Sequence, residues 1–395
     1  MAPNPLIGLV YHWTGGLAAA SFYIPFKRVK GWAWETYWLV GGVFSWIITP
    51  IALAALLVPG LWDVLLHAPG RSAGLAFFWG LMWGVGGLTF GLSMRYLGIA
   101  LGYAIALGLC TAFGTLMPPL FEGKLGAIAA ERSGQVILLG IGVCLVGIAL
   151  SGMAGVSKER ELSDEQKKGT VQEFHFLKGL LVATFAGVMS ASFAYGLAAG
   201  KPIAEAASEQ LARHGGSELW QNLPVLVVVL LGGFATNFLW CVMLNVRNRT
   251  AHQYTAFRTR AVAEISATEA VSTWDAEELE GRRTGGMATV VGADREPRVP
   301  LVANYLFSAA AGVIWYLQFF FYSMGQTKMG RYEFSSWTLH MASIIIFSTI
   351  WGVALKEWRG TTRRTHVLIA LGLAALIGST LVVGYGNYLK GAGGH

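Results

Sequence analysis

The chain has 395 residues, of which 54% are hydrophobic and only 13% are charged, and it contains 51 glycines. This composition excludes a soluble globular domain and indicates an all-α polytopic protein embedded in a lipid bilayer. The formal net charge of +7 suggests a nucleic-acid partner at first sight, but the Lys and Arg residues lie mainly in short loops between apolar segments. There they act as orientation signals, so no nucleic-acid partner is expected.

Ten apolar segments are each close to the ~20 residues that ~30 Å of hydrocarbon requires. These predicted spans lie near 6–25, 36–59, 74–93, 97–119, 134–155, 177–199, 223–245, 301–324, 335–355 and 366–388. No basic stretch precedes the first segment, which we interpret as a retained span and not a cleaved signal. Of the 29 Lys and Arg, 21 lie in or beside the loops after spans 1, 3, 5, 7 and 9. This bias predicts that these loops are cytoplasmic and that both termini are extracytoplasmic.

The first and sixth spans resemble one another. Aligning residue 8 with residue 179 superposes Gly8 on Gly179, Gly16 on Gly187, and the triplet Ala-Ser-Phe ending at Phe22 on the triplet ending at Phe193. Five spans in each half is an odd number, so the second copy must be inverted relative to the first. The sequence therefore predicts two inverted five-helix repeats, 1–155 and 177–395, joined by a polar loop at 156–176, an architecture found in secondary transporters.

Residues 246–298 form a polar insert in the second half that begins with several arginines. A linker of this length and composition is expected to be flexible and without a chemical role. The three cysteines, Cys110, Cys144 and Cys241, lie inside predicted spans without metal-ligand spacing and are expected to be buried, inert thiols. Neither a metal nor a cofactor is predicted.

Two nearby stretches place polar and aromatic side chains inside or beside apolar spans: Trp315-Tyr-Leu-Gln-Phe-Phe-Phe-Tyr322 and Glu333-Phe-Ser-Ser-Trp337-Thr-Leu-His340. Hydrocarbon offers such groups no hydrogen-bond partner, so they should face a cavity or another helix. Aromatic faces beside hydrogen-bonding groups suit a small polyhydroxylated solute. The predicted solute-binding residues are Trp315, Gln318, Tyr322, Trp337 and His340, with Tyr23 and Asn237 as weaker candidates.

Three residues are candidates for proton coupling: Glu35 first, then His12 and His340. Histidines exchange protons near neutral pH. The apolar setting of Glu35 between Trp34 and Trp38 favours its protonated form, whereas the three cations at 27–30 favour the carboxylate. The sequence does not decide between these two effects.

Two pairs of glycines four residues apart lie in the third span, Gly80 with Gly84 and Gly87 with Gly91. This spacing favours close helix packing. The pattern Gly70-Arg-Ser72-Ala-Gly74 matches the G-x-S-x-G motif of serine hydrolases, but we place it in a loop before the third span, outside the strand and turn that this motif requires. We therefore predict that the protein is not an enzyme.

Several longer motifs point to a family. They are Phe22-Tyr-x-Pro-Phe-Lys, Val-Lys-Gly-Trp-x-Trp-Glu35-Thr, Met82-Trp-Gly-Val-Gly86, Gly91-Leu-Ser-Met-Arg95-Tyr-Leu-Gly98, Trp315–Tyr322, Ser336-Trp-x-Leu-His340-Met and Leu355-Lys-Glu357-Trp. Together they closely resemble the bacterial L-rhamnose/proton symporters of the drug/metabolite transporter superfamily, from about residue 8 to 386 without the long insert.

The resemblance implies proton-coupled uptake of L-rhamnose or a related 6-deoxy sugar by alternating access, in the bacterial inner membrane. Gly87 and Phe90 depart from the Asn and Tyr that tend to occupy these positions in the family, which bears on the choice of sugar. Other solute carriers or exporters of the superfamily, and a membrane sugar sensor, remain alternative functions. The sequence does not indicate an oligomeric state.

Overall fold

The protein is described here by a computed structural model that covers residues 4–97, 99–161, 176–256, 298–355 and 358–392. It contains a helix at each of the ten predicted spans. They are α1 (Pro5–Ser21), α2 (Trp34–Leu57), α3 (Gly70–Leu97), α4 (Ile99–Phe121), α5 (Arg132–Glu161), α6 (Leu177–Ala199), α7 (Leu223–Arg247), α8 (Leu301–Lys328), α9 (Ser336–Ala354) and α10 (Arg363–Ala392).

Within the described part of the chain, the nine helices α2 to α10 are long and apolar enough to cross a membrane. Helix α1 has 17 residues and is followed after Phe22 by the short helix Tyr23–Phe26, so the two together cover the first predicted span. The prediction of an all-α polytopic membrane protein is confirmed.

Helix α2 contains a π-helical turn at Phe44–Ile48. Its cause lies in the next residues of the sequence, because Pro50 has no N–H to donate to the carbonyl of Trp46 four residues earlier. The wider turn lets the helix continue as Thr49–Leu57. Single π-turns of this kind are frequent at functional sites.

Two expectations about α3 have different outcomes. The expectation that Gly70–Gly74 forms a loop was wrong, because Gly70 begins the helix. The hydroxyl of Ser72 donates to the carbonyl of Ala199 and so holds α3 to the end of α6. Close packing is confirmed for Gly80, since a Cβ there would lie 2.0 Å from the carbonyl oxygen of Val229 in α7.

The helices pack in a crossed arrangement. Helix α1 lies against α8 and α9 of the second half, whereas α6 lies against α3 and α4 of the first half. Helices α5 and α10 pack extensively on each other, as do α3 and α6. The cores of the two halves therefore depend on each other.

The helix ends that flank the loops rich in Lys and Arg lie at one end of the bundle, which we call the basic end. The backbone N–H and C=O of Lys30 bond to Asn304 at the start of α8, at 3.0 and 2.8 Å. The carboxylate of Glu161, the last residue of α5, accepts from Thr362 just before α10. At the opposite end the N–H of Asn4 donates to the carbonyl of Lys328.

The first residues of the polar insert contact the rest of the protein, and the flexibility of the insert stays a prediction. Helix α7 continues to Arg247, and Ala251–Tyr254 forms a 3-10 turn that packs on the segment before α2. The expectation for residues 257–297 lies outside the described residues.

Candidate solute-binding and proton-coupling site

One face of α8 runs along the middle of the bundle and carries most of the predicted site. Gln318 and Phe319 lie three and four residues after Trp315, and Tyr322 lies seven residues after it, which places all four on one side of a helix. The side chain of Gln318 is 2% exposed and that of Tyr322 is 3% exposed. An apolar helix that buries an amide and a phenol in this way presents them to other helices and not to lipid.

The structure brings the two histidines together beside Tyr322. The ring of His12, in α1, lies 5.4 Å from that of Tyr322 and 6.5 Å from that of His340, in α9. Tyr322 and His340 are 5.1 Å apart, and Tyr322 and Trp337 are 5.8 Å apart, measured between ring centroids. We call His12, Gln318, Tyr322, Trp337 and His340 the histidine site.

Glycines allow these side chains to approach. A Cβ on Gly15 would lie 2.9 Å from the backbone oxygen of Gln318 and 3.4 Å from the ring of His340, and a Cβ on Gly325 would lie 2.7 Å from the ring of His12. Helix α1 thus lies directly on α8 and α9 at the histidine site, and a larger residue at either position would separate them.

Several polar atoms of the histidine site are buried without a partner. Both ring nitrogens of His12, both of His340 and Nε2 of Gln318 make no hydrogen bond to any residue that the structure describes. An unpaired buried polar group costs about 1–3 kcal/mol, and this site contains five such atoms. By contrast, Nε1 of Trp337 donates to the carbonyl of Cys110 at 3.0 Å, which fixes its indole. The site is therefore suited to a ligand that carries several hydroxyl groups.

An aromatic wall that the sequence analysis missed extends the histidine site. The ring of Phe193, in α6, stacks on Trp337 at 5.7 Å and lies 4.7 Å from Phe319. Trp83, in α3, contacts the rings of both phenylalanines at 5.2 and 5.5 Å. The repeat contained a usable signal, because Phe193 aligns with Phe22, whose ring lies 4.3 Å from Trp315.

Three predicted residues lie outside the histidine site. Trp315 lies seven residues before Tyr322 in α8, about 10 Å along the axis, and lines a separate cavity. Asn237, in α7, accepts from Nε1 of Trp38 at 3.3 Å near that cavity. Tyr23 packs on Phe22 and Phe26, at 6.0 and 5.9 Å.

Glu35 belongs to a buried polar cluster at the basic end. Its Oε1 accepts from Oγ1 of Thr250 at 2.7 Å and from Nδ2 of Asn248 at 3.1 Å, and the residue is 2% exposed. The next residue, Thr36, donates to Oε1 of Gln253 at 2.9 Å. The segment Asn248–Tyr254 is thus fastened to the start of α2, and we call this contact the basic-end latch.

Tyr254 completes the latch. Its hydroxyl accepts from Nδ2 of Asn245 at 3.1 Å, and its carbonyl accepts from the hydroxyl of Tyr305 at 2.9 Å. Burial raises the pKa of Tyr254 to about 12, so its hydroxyl is neutral at physiological pH. Helices α2, α7 and α8 are therefore joined at this end.

Glu35 and the histidines are far apart. The latch is level with Tyr305 and the histidine site with Tyr322, both in α8, and these 17 residues of helix span about 26 Å. The three residues predicted to couple protons therefore lie at two separate places. A direct transfer of a proton from one to the other is excluded at this distance.

The described residues contain no group of three His, Cys, Asp or Glu side chains placed to hold a metal ion. The three cysteines are free and buried, which confirms that part of the expectation about them. The histidine site thus provides hydrogen-bonding groups, aromatic faces and two histidine rings.

Comparison with known proteins assigns the family. A family model described as L-rhamnose-proton symport protein (RhaT) matches residues 1–263 and 289–388. An L-rhamnose-proton symporter of Yersinia pestis (strain Pestoides F) is 34% identical over 383 residues, 96% of this chain and 98% of that protein. One of Cronobacter sakazakii (strain ATCC BAA-894) is 36% identical over 382 residues, 96% of this chain and 97% of that protein. The chain is therefore a member of the L-rhamnose-proton symport family, a family of transporters and not of enzymes.

Proposed function

We propose that this protein imports L-rhamnose or a related 6-deoxy sugar together with protons, by alternating access across the bacterial inner membrane. The relatives are named L-rhamnose-proton symporters, and their similarity to this chain extends over almost their whole length. The structural observation that carries the proposal is the histidine site, where buried hydrogen-bonding atoms lack partners among the described residues and aromatic rings surround them.

The sugar is held between the two halves of the chain. Gln318, His12 and His340 hydrogen-bond its hydroxyls, while Tyr322 and Trp337 cover its less polar face, the usual division of labour in a small-molecule pocket. Trp83, from the first half, and Phe193, from the second half, close the site. Because one ligand contacts both halves, its binding favours their closure around it.

The proton is handled at two places. His12 and His340 take it up beside the sugar, and Glu35 controls the basic end. When Glu35 is charged, it accepts strong hydrogen bonds from Thr250 and Asn248. Protonation removes the charge, and since bonds to an ionised acceptor are about twice as strong as neutral ones, it weakens the latch. The basic end then opens, the proton bound at the histidines leaves with the sugar, and Glu35 releases its own proton afterwards.

Alternating access requires two halves that exchange roles, and the packing of the aligned glycines supports inverted repeats. A Cβ on Gly16 would meet Ser343 of α9, and a Cβ on its counterpart Gly187 would meet Ala106 of α4. Helices α9 and α4 are equivalent in the two halves, so each first helix packs on the fourth helix of the opposite half. This reciprocity is what a two-fold relation in the membrane plane produces.

The test is uptake of labelled L-rhamnose by proteoliposomes under an imposed pH gradient. We expect accumulation that an uncoupler abolishes and that unlabelled L-rhamnose inhibits more strongly than L-fucose or D-glucose. Binding without accumulation would favour a sugar sensor. Accumulation of another class of solute, with no effect of L-rhamnose, would favour another carrier of the superfamily.

A further inference from the structure

The indole of Trp337 lies directly on the backbone of α4 at Gly114. A Cβ on Gly114 would overlap Nε1 of this indole and would lie 2.5 Å from its Cδ1 and 3.0 Å from its Cε2. These three atoms form one side of the five-membered ring. Since carbon atoms in contact are about 3.5–4.0 Å apart, even an alanine at position 114 would have to move the indole by roughly 1 Å.

Two buried hydrogen bonds hold the start of α9 on α4 beside Gly114. Nε1 of Trp337 donates to the carbonyl of Cys110, one turn earlier in α4, at 3.0 Å. The hydroxyls of Thr115 and Thr338 bond to each other at 2.8 Å, and both residues are fully buried. Moving the two helices apart would break both bonds, whereas moving the indole alone breaks only the first. An added side chain at position 114 is therefore expected to displace the indole and not the helix.

Away from α4, the indole of Trp337 is bounded by rings of the histidine site and of its aromatic wall. Phe193 stacks on it at 5.7 Å, with an angle of 26° between the ring planes. Tyr322 meets it edge to face at 5.8 Å, and the ring of His340 is 6.5 Å away. An indole that is pushed off α4 therefore moves toward these rings and narrows the space that they share with the sugar.

The position of this indole bears on which sugar fits. One methyl or methylene group more in a fitted apolar pocket changes the discrimination between two substrates by about 10–200-fold. L-rhamnose differs from the pentose L-lyxose only by a methyl group, since the two rings carry the same hydroxyl groups in the same arrangement. A wall that moves toward the sugar should therefore penalise L-rhamnose more than L-lyxose.

We infer that Gly114 is a positioning residue that sets the sugar specificity of the histidine site. By seating Trp337 on α4, it leaves the room that the methyl group of a 6-deoxy sugar occupies. The backbone at Gly114 is helical, so no unusual φ angle requires a glycine there. The absence of a side chain is what this position contributes. The inference rests on the proposed function and gives the first half of the chain a part in the choice of sugar.

Equilibrium binding of the two sugars to purified Gly114→Ala protein tests the inference. The affinity for L-rhamnose should fall at least about tenfold, whereas the affinity for L-lyxose should fall less than about threefold, so that the preference for L-rhamnose is reduced. A loss of affinity that is no larger for L-rhamnose than for L-lyxose would overturn the inference and leave the proposed function intact. A wild-type protein that binds neither sugar would instead reject the proposed function.

Gly108→Ala is the matched control in the same helix. A Cβ on Gly108 would have its nearest neighbour at 3.9 Å, where it meets Cγ2 of Ile148 in α5, and this is an ordinary van der Waals distance. The variant makes the same chemical change at a position that does not touch Trp337, and it should leave the affinity for both sugars unchanged. A change of preference as large as that of Gly114→Ala would show that any alanine in α4 alters the site, and it would refute the role of Gly114.

Combination with Trp337→Phe shows whether Gly114 acts through the indole. Phenylalanine keeps an aromatic ring but lacks the five-membered ring that Gly114 contacts, so Gly114→Ala should cost less affinity for L-rhamnose in this background than in the wild type. The melting temperature in detergent gives the same comparison without any sugar. Equal effects of Gly114→Ala in both backgrounds would mean that the indole is not displaced and would overturn the inference. If Gly114→Ala alone fails to fold, the double variant should fold, and failure of both would also refute the inference.

Discussion

Gln318 is the residue whose environment most directly links burial to sugar binding. Its Nε2 is buried without a partner among the described residues, within one turn of Tyr322 and close to His340. Gln318→Ala should weaken L-rhamnose binding roughly fivefold to 150-fold, the equivalent of about 1–3 kcal/mol. Equilibrium binding to purified protein measures this effect.

The matched control for this substitution is Gln210→Ala. Gln210 lies outside the membrane spans and bonds only weakly to Asp63, at 3.3 Å. Its loss should leave binding unchanged. Normal sugar affinity in a folded Gln318→Ala protein would place the sugar elsewhere.

Glu35 is the residue at which charge and conformation are coupled. In Glu35→Gln the neutral amide oxygen accepts weaker hydrogen bonds from Thr250 and Asn248, as a protonated Glu35 would, so the latch stays in its weakened form and cannot be switched by a proton. We expect loss of proton-driven accumulation, while exchange of labelled for unlabelled sugar continues. Glu205→Gln, at an exposed position, is the control. Proton-driven accumulation with a normal pH dependence in Glu35→Gln would transfer the coupling role to the histidines, and His340→Gln would then be the variant to measure.

The sequence was informative about the residues of α8 and α9 because a polar side chain in an apolar span needs a polar surrounding. That reasoning does not locate apolar walls, since Phe193 and Trp83 look like any lipid-facing or core aromatic residue. The sequence analysis also grouped Glu35 with the histidines, because a sequence shows the type of each residue but not its position along the membrane normal. Only the packing of α2 on the loop after α7 shows that Glu35 lies at the other end of α8.

At the scale of helices, the glycines of α3 show where this helix touches a neighbour and where it does not. In α3 a Cβ on Gly80 would lie 2.0 Å from a backbone oxygen of α7, whereas a Cβ on Gly87 meets nothing within 4 Å. Gly80→Ala should therefore force the two helices apart and destabilise the protein by about 1–3 kcal/mol. Gly87→Ala in the same helix is the control and should not lower thermal stability in detergent. Equal melting temperatures for both variants would contradict the packing.

Contacts with the helices also indicate which part of the polar insert is dispensable. Residues 264–288 fall between the two parts of the chain that match the family model, and their composition is polar. Their deletion should leave uptake within about twofold of the wild type, because lengthening or shortening a surface loop changes its closure entropy little. A deletion that also removes Gln253 and Tyr254 should abolish uptake, since both residues belong to the latch. Loss of uptake after the shorter deletion, at normal membrane levels, would show a regulatory role for the insert.

The spans themselves were predictable because hydrophobic length is a property of the local sequence. Nine of the ten predicted spans coincide with helices that are long and apolar enough to cross the membrane within the described chain. The break after Phe22 and the π-turn were not predicted. The π-turn could have been, since Pro50 in the middle of an apolar run leaves the carbonyl four residues earlier without its donor.

For the molecule as a whole, the positions of the Lys and Arg residues indicate how the protein is oriented in the membrane. The loops rich in Lys and Arg lie far apart in the chain, yet contacts such as Lys30 with Asn304 and Glu161 with Thr362 bring them to the same end of the bundle. A single end with excess positive charge is what the positive-inside rule requires of a consistently inserted protein. We propose that this basic end is cytoplasmic and that both termini are extracytoplasmic.

Labelling of single cysteines in intact cells measures this orientation. An impermeant thiol reagent applied from outside should modify Gly393→Cys and not Ala270→Cys, because the second lies in the insert at the basic end and the first lies at the C-terminus. The native cysteines are buried, so the unsubstituted protein should react little with the reagent. Permeabilised cells provide the control, since Ala270→Cys should react there. The opposite pattern, with position 270 reactive in intact cells and position 393 silent, would reverse the orientation, and the latch at Glu35 would then guard the side from which the sugar enters.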